Sequence, residues 1–161
     1  MVGSREGDEW FRSMWRDLGF HCDFCEEPGR WRFIGSRGGL LKFRDLLDEY
    51  ISDPSNSELS EDPYGPHDHF GPYMHLTIRT LTPKTTNLGP KILDCEIWGR
   101  THDIEKLARL VEEKVGESSV GDTFTIDTEY SEHNEAILDF EVRAEGFDPA
   151  SADPYLPRED P

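Results

Sequence analysis

Apolar positions follow two rhythms along the chain. In three stretches they recur every three or four residues, the spacing that gathers side chains on one stripe of a helix. Residues 6–18 place Trp10, Phe11, Met14, Trp15 and Leu18 in this way. A second stretch does so with Leu40, Phe43, Leu47 and Tyr50 or Ile51, and a third with Ile104, Leu107, Val111 and Val115. Thr101 is placed to cap the third helix, with Asp103 in its first turn and Gly116 as its stop. Elsewhere apolar and polar residues alternate, the period of a half-buried strand. The alternating runs are MHLTIRT (74–80), ILDCEIWG (92–99), DTFTIDTEY (122–130) and ILDFEVRA (137–144). A shorter strand is expected near Phe20–Cys25, and the turn Glu27-Pro28-Gly29 leads from it into a strand about Trp31.

Two of these stretches match each other. RFIGSRGGLLKFRDLLDEYI (32–51) aligns without a gap on EIWGRTHDIEKLARLVEEKV (96–115), a constant offset of 64. Gly35 meets Gly99, Lys42 meets Lys106, Leu46 meets Leu110 and Glu49 meets Glu113. Apolar pairs stay in step at Phe33/Ile97, Leu40/Ile104, Phe43/Leu107, Leu47/Val111 and Ile51/Val115. A repeat of this kind sets the fold. Residues 30–130 read β-α-β-β-α-β, which gives an α+β class with a duplicated β-α-β, ferredoxin-like core: an antiparallel sheet with two helices on one face. An N-terminal helix and an extra C-terminal strand are added to it. The strand at Phe20–Cys25 competes for a sheet edge, so the strand order stays open. Leu46 and Leu110 count among the buried stripe.

The domain is expected to span residues 1–147, with repeat halves at about 30–80 and 91–130 and the extra strand at 135–143. Residues 52–71 form a long Pro/Gly/Asp/Ser-rich loop, of the length that is functional or mobile in a compact domain. Residues 81–90 form a shorter connection, and residues 148–161 an irregular, acidic, proline-rich tail.

Charge changes this picture more than composition does. The 161 residues hold 34 acids against 17 bases, a net of −17, and the surplus is uneven. Residues 1–44 hold 7 acids and 8 bases, residues 45–111 hold 12 and 6, and residues 112–161 hold 15 and 3. This balance argues against nucleic acid as a partner, because phosphate binding runs on counterion release by basic side chains. It equally disfavours an anionic membrane surface. No stretch has the roughly 18 apolar residues of a membrane span, and the N-terminus lacks the apolar run of a signal peptide. With three cysteines, too few for a disulfide scaffold, the expectation is a soluble cytoplasmic protein.

Four groups of residues bear on chemistry. Alternation sends Asp94, Glu96, Asp127, Glu129, Asp139 and Glu141 to the sheet face away from the helices, beside His75, Thr77 and Arg79. Such a face is either solvated or met by a cationic partner. His67, Asp68, His69 and His75 offer His-x-His ligand spacing for zinc or another transition metal, without an HExxH frame. His21-Cys22-Asp23-Phe24-Cys25 contains a CxxC, but on a strand and without a second pair, so free thiols are expected. Gly35-Ser36-Arg37-Gly38-Gly39 lacks the spacing of a phosphate loop and reads as a tight turn. No catalytic set is identified.

Gly38-Gly39-Leu40 opening an amphipathic helix, an acidic loop, a His67-Asp68-His69-Phe70 element and a strand from near Met74 together resemble the small bacterial immunity proteins of polymorphic toxin systems. The resemblance covers about residues 32–80. It implies a protein that binds and blocks a cognate toxin without catalysis of its own, with no cofactor. The leading expectation is therefore a non-enzymatic bacterial binding protein, an immunity-type inhibitor that occludes a basic protein partner with an acidic surface. The alternative is a metal-binding protein or metal-dependent hydrolase using His67, His69 and His75 around zinc.

Overall fold

In a computed structural model the described residues are 2–25, 29–52, 67–70, 76–80, 89–93, 96–154 and 156. Helical spacing becomes helix at α1 (Val2–Leu18), α2 (Arg37–Ser52) and α3 (Thr101–Glu117). Alternation becomes strand at β1 (His21–Cys25), β2 (Arg30–Ser36), β3 (His67–Phe70), β4 (Leu76–Thr80), β5 (Lys91–Ile92), β6 (Glu96–Gly99), β7 (Thr123–Ile126) and β8 (Ile137–Arg143). A 3-10 turn at Pro149–Ala152 comes after the last strand. The protein is α+β.

The strands do not form the single antiparallel sheet that the ferredoxin-like reading requires. They form two four-stranded mixed sheets, ordered β1-β2-β8-β7 and β3-β4-β6-β5. Each sheet joins two antiparallel hairpins through one central parallel pair, β2 with β8 and β4 with β6. The repeating unit is thus ββαββ, at residues 21–80 and again at 91–143. The first unit gives its leading hairpin to one sheet and its trailing hairpin to the other, and the second unit does the reverse. The strand at 135–143 is not an addition to the core but the last strand of the second unit. The strand at Phe20–Cys25 takes an edge.

Ladder registers show how closely the units correspond. Gly35 pairs with Val142 as Gly99 pairs with Thr80. His67 pairs with Arg79 as Thr123 pairs with Glu141, and Phe70 with Leu76 as Ile126 with Leu138. The helices α2 and α3 start 64 residues apart, the offset of the sequence match. ILDCEIWG (92–99) and ILDFEVRA (137–144) are also similar in sequence, yet these segments are not equivalent in the fold. Residues 92–99 turn within themselves: Ile92 pairs with Ile97, and the Leu93 N–H donates to the Glu96 carbonyl at 2.7 Å.

One apolar cluster joins both helices of the repeat and both sheets. Leu40, Phe43, Leu47 and Tyr50 of α2 and Ile104, Leu107, Val111 and Val115 of α3 are buried, as their spacing dictates. Leu46 and Leu110 are only half-buried and belong to the rim of the core. Phe140 stacks on Phe33 at 4.7 Å and on Phe124 at 4.6 Å, a three-strand aromatic ladder across β2, β8 and β7. Each such ring removed from water contributes about 1.5–3 kcal/mol.

The helix ends differ in detail from the sequence reading. Ser36 accepts the Gly39 N–H at 3.0 Å and starts α2, so the glycine stretch is a helix entry. Gly39 is required because its α carbon abuts the carbonyl of Gly19, which itself sits at φ +93°. At α3 the cap is Arg100 rather than Thr101, its N–H bonded to Asp103 Oδ2 at 2.9 Å. The helix runs past Gly116 and ends at Ser118, whose hydroxyl donates to the Lys114 carbonyl at 2.6 Å. Arg37 donates to the carbonyls of Val115 and Gly116, which sets a cation on the C-terminus of α3 and locks the helix pair.

The tail is not irregular from its start. Arg16 grips Asp148 with two nitrogens at 3.1 and 2.8 Å, the Trp15 indole donates to buried Asp153 at 2.8 Å, and Ala150 is buried against the core. Residues 157–161 lie outside the described residues. No helix among the described residues is long and apolar enough to cross a membrane.

Candidate functional site

The six carboxylates placed on one face by alternation are not together. Asp94 lies outside the described residues. Glu96 is in the second sheet, where its carboxylate accepts the Trp98 indole N–H at 3.1 Å. Asp139 and Glu141 share the outer face of β8, and each has a cation. Arg30 reaches Asp139 at 3.1 Å, with the Thr125 hydroxyl donating at 3.0 Å, and Arg143 contacts Glu141. Asp127 and Glu129 are beyond the end of β7, in a turn. The reason is that β7 stops at Ile126, so alternation no longer governs the residues past it.

That turn, residues 127–136, is held from three sides. Asn134 donates to the Asp127 carbonyl at 2.7 Å and accepts the Ile92 N–H at 2.8 Å. The N–H groups of Glu135 and Ala136 donate to the Ile92 carbonyl, so the turn covers the edge of β5. Buried Tyr130 donates from its hydroxyl to the Trp98 carbonyl at 2.7 Å, and burial pushes its ionisation well above the ordinary range. Toward α3, Lys106 donates to the Tyr130 carbonyl at 3.4 Å and Lys114 pairs with Glu129 at 2.8 Å. The Lys114 hydrogen bond holds the Glu129 carboxyl at about 2.

The turn therefore lies along α3, and its acids stand on a turn beside that helix rather than on a strand face, which alternation does not reveal. Glu113 and Glu117 on α3 and Glu132 in the turn are exposed and have no ion pair among the described residues. Glu135 lies 3.9 Å from Lys91, and Glu129 uses the nearest lysine. Glu113 and Glu117 stand one helical turn apart, and Glu117 faces the negative end of the helix dipole. Both placements disfavour an isolated helix by a few tenths of a kcal/mol. The sequence signal was present in the charge of residues 112–161. What it lacked was the turn that folds back on α3.

The structure also places the other candidate residues. His67 and His69 occupy alternate positions of β3, with Arg79 and Thr77 at the facing register positions of β4. His75 lies outside the described residues, so the proposed third ligand is not placed. Among the described residues no group of three or more His, Cys, Asp or Glu is arranged to hold a metal ion. Cys22 is a buried free thiol, its ionisation pushed up to about 12 by desolvation and by Asp23, which makes it a poor nucleophile at neutral pH. His21 is buried against the Trp15 ring at 4.3 Å, and burial lowers its proton affinity.

Compared with protein-family models, with curated proteins and with solved structures, the chain matches none.

Proposed function

We propose that this protein is a non-enzymatic binding protein that occludes a basic protein partner, in the manner of an immunity-type inhibitor. The face that does this is formed by α3 and the 127–136 turn. One observation carries the reading: Glu113, Glu117 and Glu132 are exposed without a counter-ion among the described residues, and the first two stand where they weaken α3. A cationic surface would turn that local cost into affinity, and the long-range field would raise the association rate. The resemblance of residues 32–80 to toxin-immunity proteins supports the same class of partner.

Affinity capture from the native cell tests this proposal. Wild-type protein should retain a basic protein that elutes as salt rises from about 50 to 500 mM, the range over which exposed charges become screened. Glu113→Lys/Glu117→Lys/Glu132→Lys should retain much less of it. A partner held equally by both forms, or no salt-sensitive partner at all, refutes the proposal.

The second reading, metal binding, rests on the His-x-His placement in β3. Elemental analysis of protein purified without a tag decides it: substoichiometric zinc and unchanged folding in chelator rule it out.

A further inference from the structure

We propose that the groove between α1 and α2 is a docking site for a basic amphipathic helix of the protein partner. This proposal rests on the reading of a basic protein partner given above and adds a second surface to it. Met14, Leu18 and Leu46 form the apolar floor, each half-buried. On α1 the stripe continues to Trp10, four residues before Met14, whose ring is 56% exposed and braced edge-on by Phe11 at 4.9 Å. Positions four residues apart lie above one another on a helix, so Trp10, Met14 and Leu18 make one apolar line. A helix laid into such a groove anchors through residues at its own i, i+3 or i+4, and i+7 positions.

The duplicated architecture shows this position in its filled form. Leu46 corresponds to Leu110 on α3. There the chain's own turn crosses the helix, bonded to Lys106 and Lys114 at one turn on either side of Leu110. The connection that makes this turn, between β7 and β8, spans residues 127–136, whereas the one between β3 and β4 spans only 71–75. The connection of the first unit is five residues against ten, and α1 lines one side of the groove.

Charge selects the occupant. The rim carries Asp17, Asp45 and Glu49 against Lys42. Asp45 is partly satisfied by Arg44 at 2.8 Å, while Asp17 and Glu49 have no ion pair among the described residues. A second copy would bring this acidic rim, and a further charge of −17, against itself. Residues 53–66 of the same chain hold four acids and no base, so they too would meet like charge. A foreign helix with an apolar stripe flanked by Lys or Arg meets neither obstacle.

A synthetic peptide of about four helical turns, with leucines on one stripe and lysines flanking them, is the probe. Titrated into isotope-labelled protein, it should shift the resonances of Trp10, Met14, Leu18 and Leu46, and its affinity should fall with salt. Leu46→Asp and Met14→Asp, each checked for an unchanged folded spectrum, should each weaken it about tenfold. A peptide of scrambled order should bind at least tenfold more weakly. Shifts elsewhere, equal binding of the scrambled peptide, unchanged affinity in both variants, or concentration-dependent self-association through these residues would overturn the proposal. If the peptide fails while partner capture still depends on Glu113 and Glu117, the groove alone is refuted. If capture fails but the peptide binds in the groove, the acidic α3 face is refuted instead.

Discussion

The two units carry a glycine at the same place, Gly35 in β2 and Gly99 in β6, and replacing each by alanine should give unequal results. Gly99 is buried, one residue before the cap of α3. A Cβ there would overlap the Tyr130 hydroxyl oxygen and come within 2.9 Å of Asp103 Cβ and 3.2 Å of Ile104 Cδ1. None of these groups retreats freely. The Tyr130 hydroxyl is bonded to the Trp98 carbonyl, and the Asp103 carboxylate caps α3. Displacing the hydroxyl forfeits a buried hydrogen bond, about 1–3 kcal/mol. Overpacking adds about 1–3 kcal/mol, so Gly99→Ala should cost about 2–6 kcal/mol in all.

At Gly35 the same Cβ would stand 3.2 Å from Phe20 Cβ and 3.4 Å from the Gly19 carbonyl, with no bonded polar group in its way. A shift of a few tenths of an ångström relieves it, and the loss of unfolded-state freedom returns about 0.4–1 kcal/mol. Gly35→Ala should therefore change stability by less than about 1 kcal/mol. Urea unfolding of both variants, with the slopes compared to confirm a common unfolded state, gives the numbers. Tyr130→Phe supplies the control. It costs stability on its own but removes the atom that meets the new methyl, so the double variant should be less destabilised than the sum by about 1 kcal/mol. Equal losses at Gly35 and Gly99, or strict additivity with Tyr130→Phe, would refute the packing explanation.

Four further outcomes can be checked. Gly38→Ala should stabilise by about 0.5–1 kcal/mol, since nothing lies near its α carbon, whereas Gly39→Ala should cost more than about 2 kcal/mol by colliding with the Gly19 backbone; chemical denaturation separates them. Leu47→Ala should cost about 2–5 kcal/mol and its half-buried neighbour Leu46→Ala less than half of that, measured the same way. Deleting residues 148–161 removes the Arg16–Asp148 and Trp15–Asp153 bonds and uncovers the site of Ala150, so stability should drop by about 2–4 kcal/mol, and an unchanged melting temperature would show the tail to be dispensable. Glu129 is held at about 2 against an ordinary 4.5, so its contribution is present above pH 4.5 and is lost as pH falls toward 2. Water screens this 40% exposed pair to less than about 1 kcal/mol, and Lys114→Gln should flatten that part of the acid-unfolding curve.

How much of this was legible in the sequence depends on how local the determinant is. Leu40, Phe43, Leu47 and Tyr50 bury as their spacing says, because an amphipathic stripe has only one way to hide. The 64-residue offset is legible for the same reason: it lies within one strand and the helix after it. Sheet order was not legible. In one sheet the hairpins join through β2 and β8, more than 100 residues apart, and alternation carries no record of partner or direction. β3 was missed because His67-Asp68-His69-Phe70 lies in a proline- and glycine-rich stretch that composition alone assigns to loop. The acidic face was misplaced because alternation was carried three residues beyond the end of β7, to Glu129. The docked tail was missed because its anchors, Arg16 with Asp148 and Trp15 with Asp153, join segments more than 130 residues apart.

The units also separate two explanations of the acidity. Residues 21–80 hold 11 acids and 6 bases, and residues 91–143 hold 14 acids and 6 bases. On the helices two acids correspond, Asp48 with Glu112 and Glu49 with Glu113, sixty-four apart in each case, while α3 holds five acids to the three of α2. On the strands the second unit turns Thr77 into Asp139 and Arg79 into Glu141 at matching register positions. The longer connection between β7 and β8 adds Asp127, Glu129, Glu132 and Glu135. A demand for solubility alone acts on the whole surface and gives no reason to load one of two equivalent units. Here the bases stay equal while the acids rise from 11 to 14, and the connection between β7 and β8 holds four acids where the shorter one between β3 and β4 holds none. That connection bonds to the β5 edge through Asn134 and backbone groups, with Glu135 near Lys91 and Glu129 on Lys114, and Glu132 has no ion pair of this kind among the described residues. The exposed carboxylate of Glu132 is therefore surplus to folding, and a basic surface beyond the chain is what would use it.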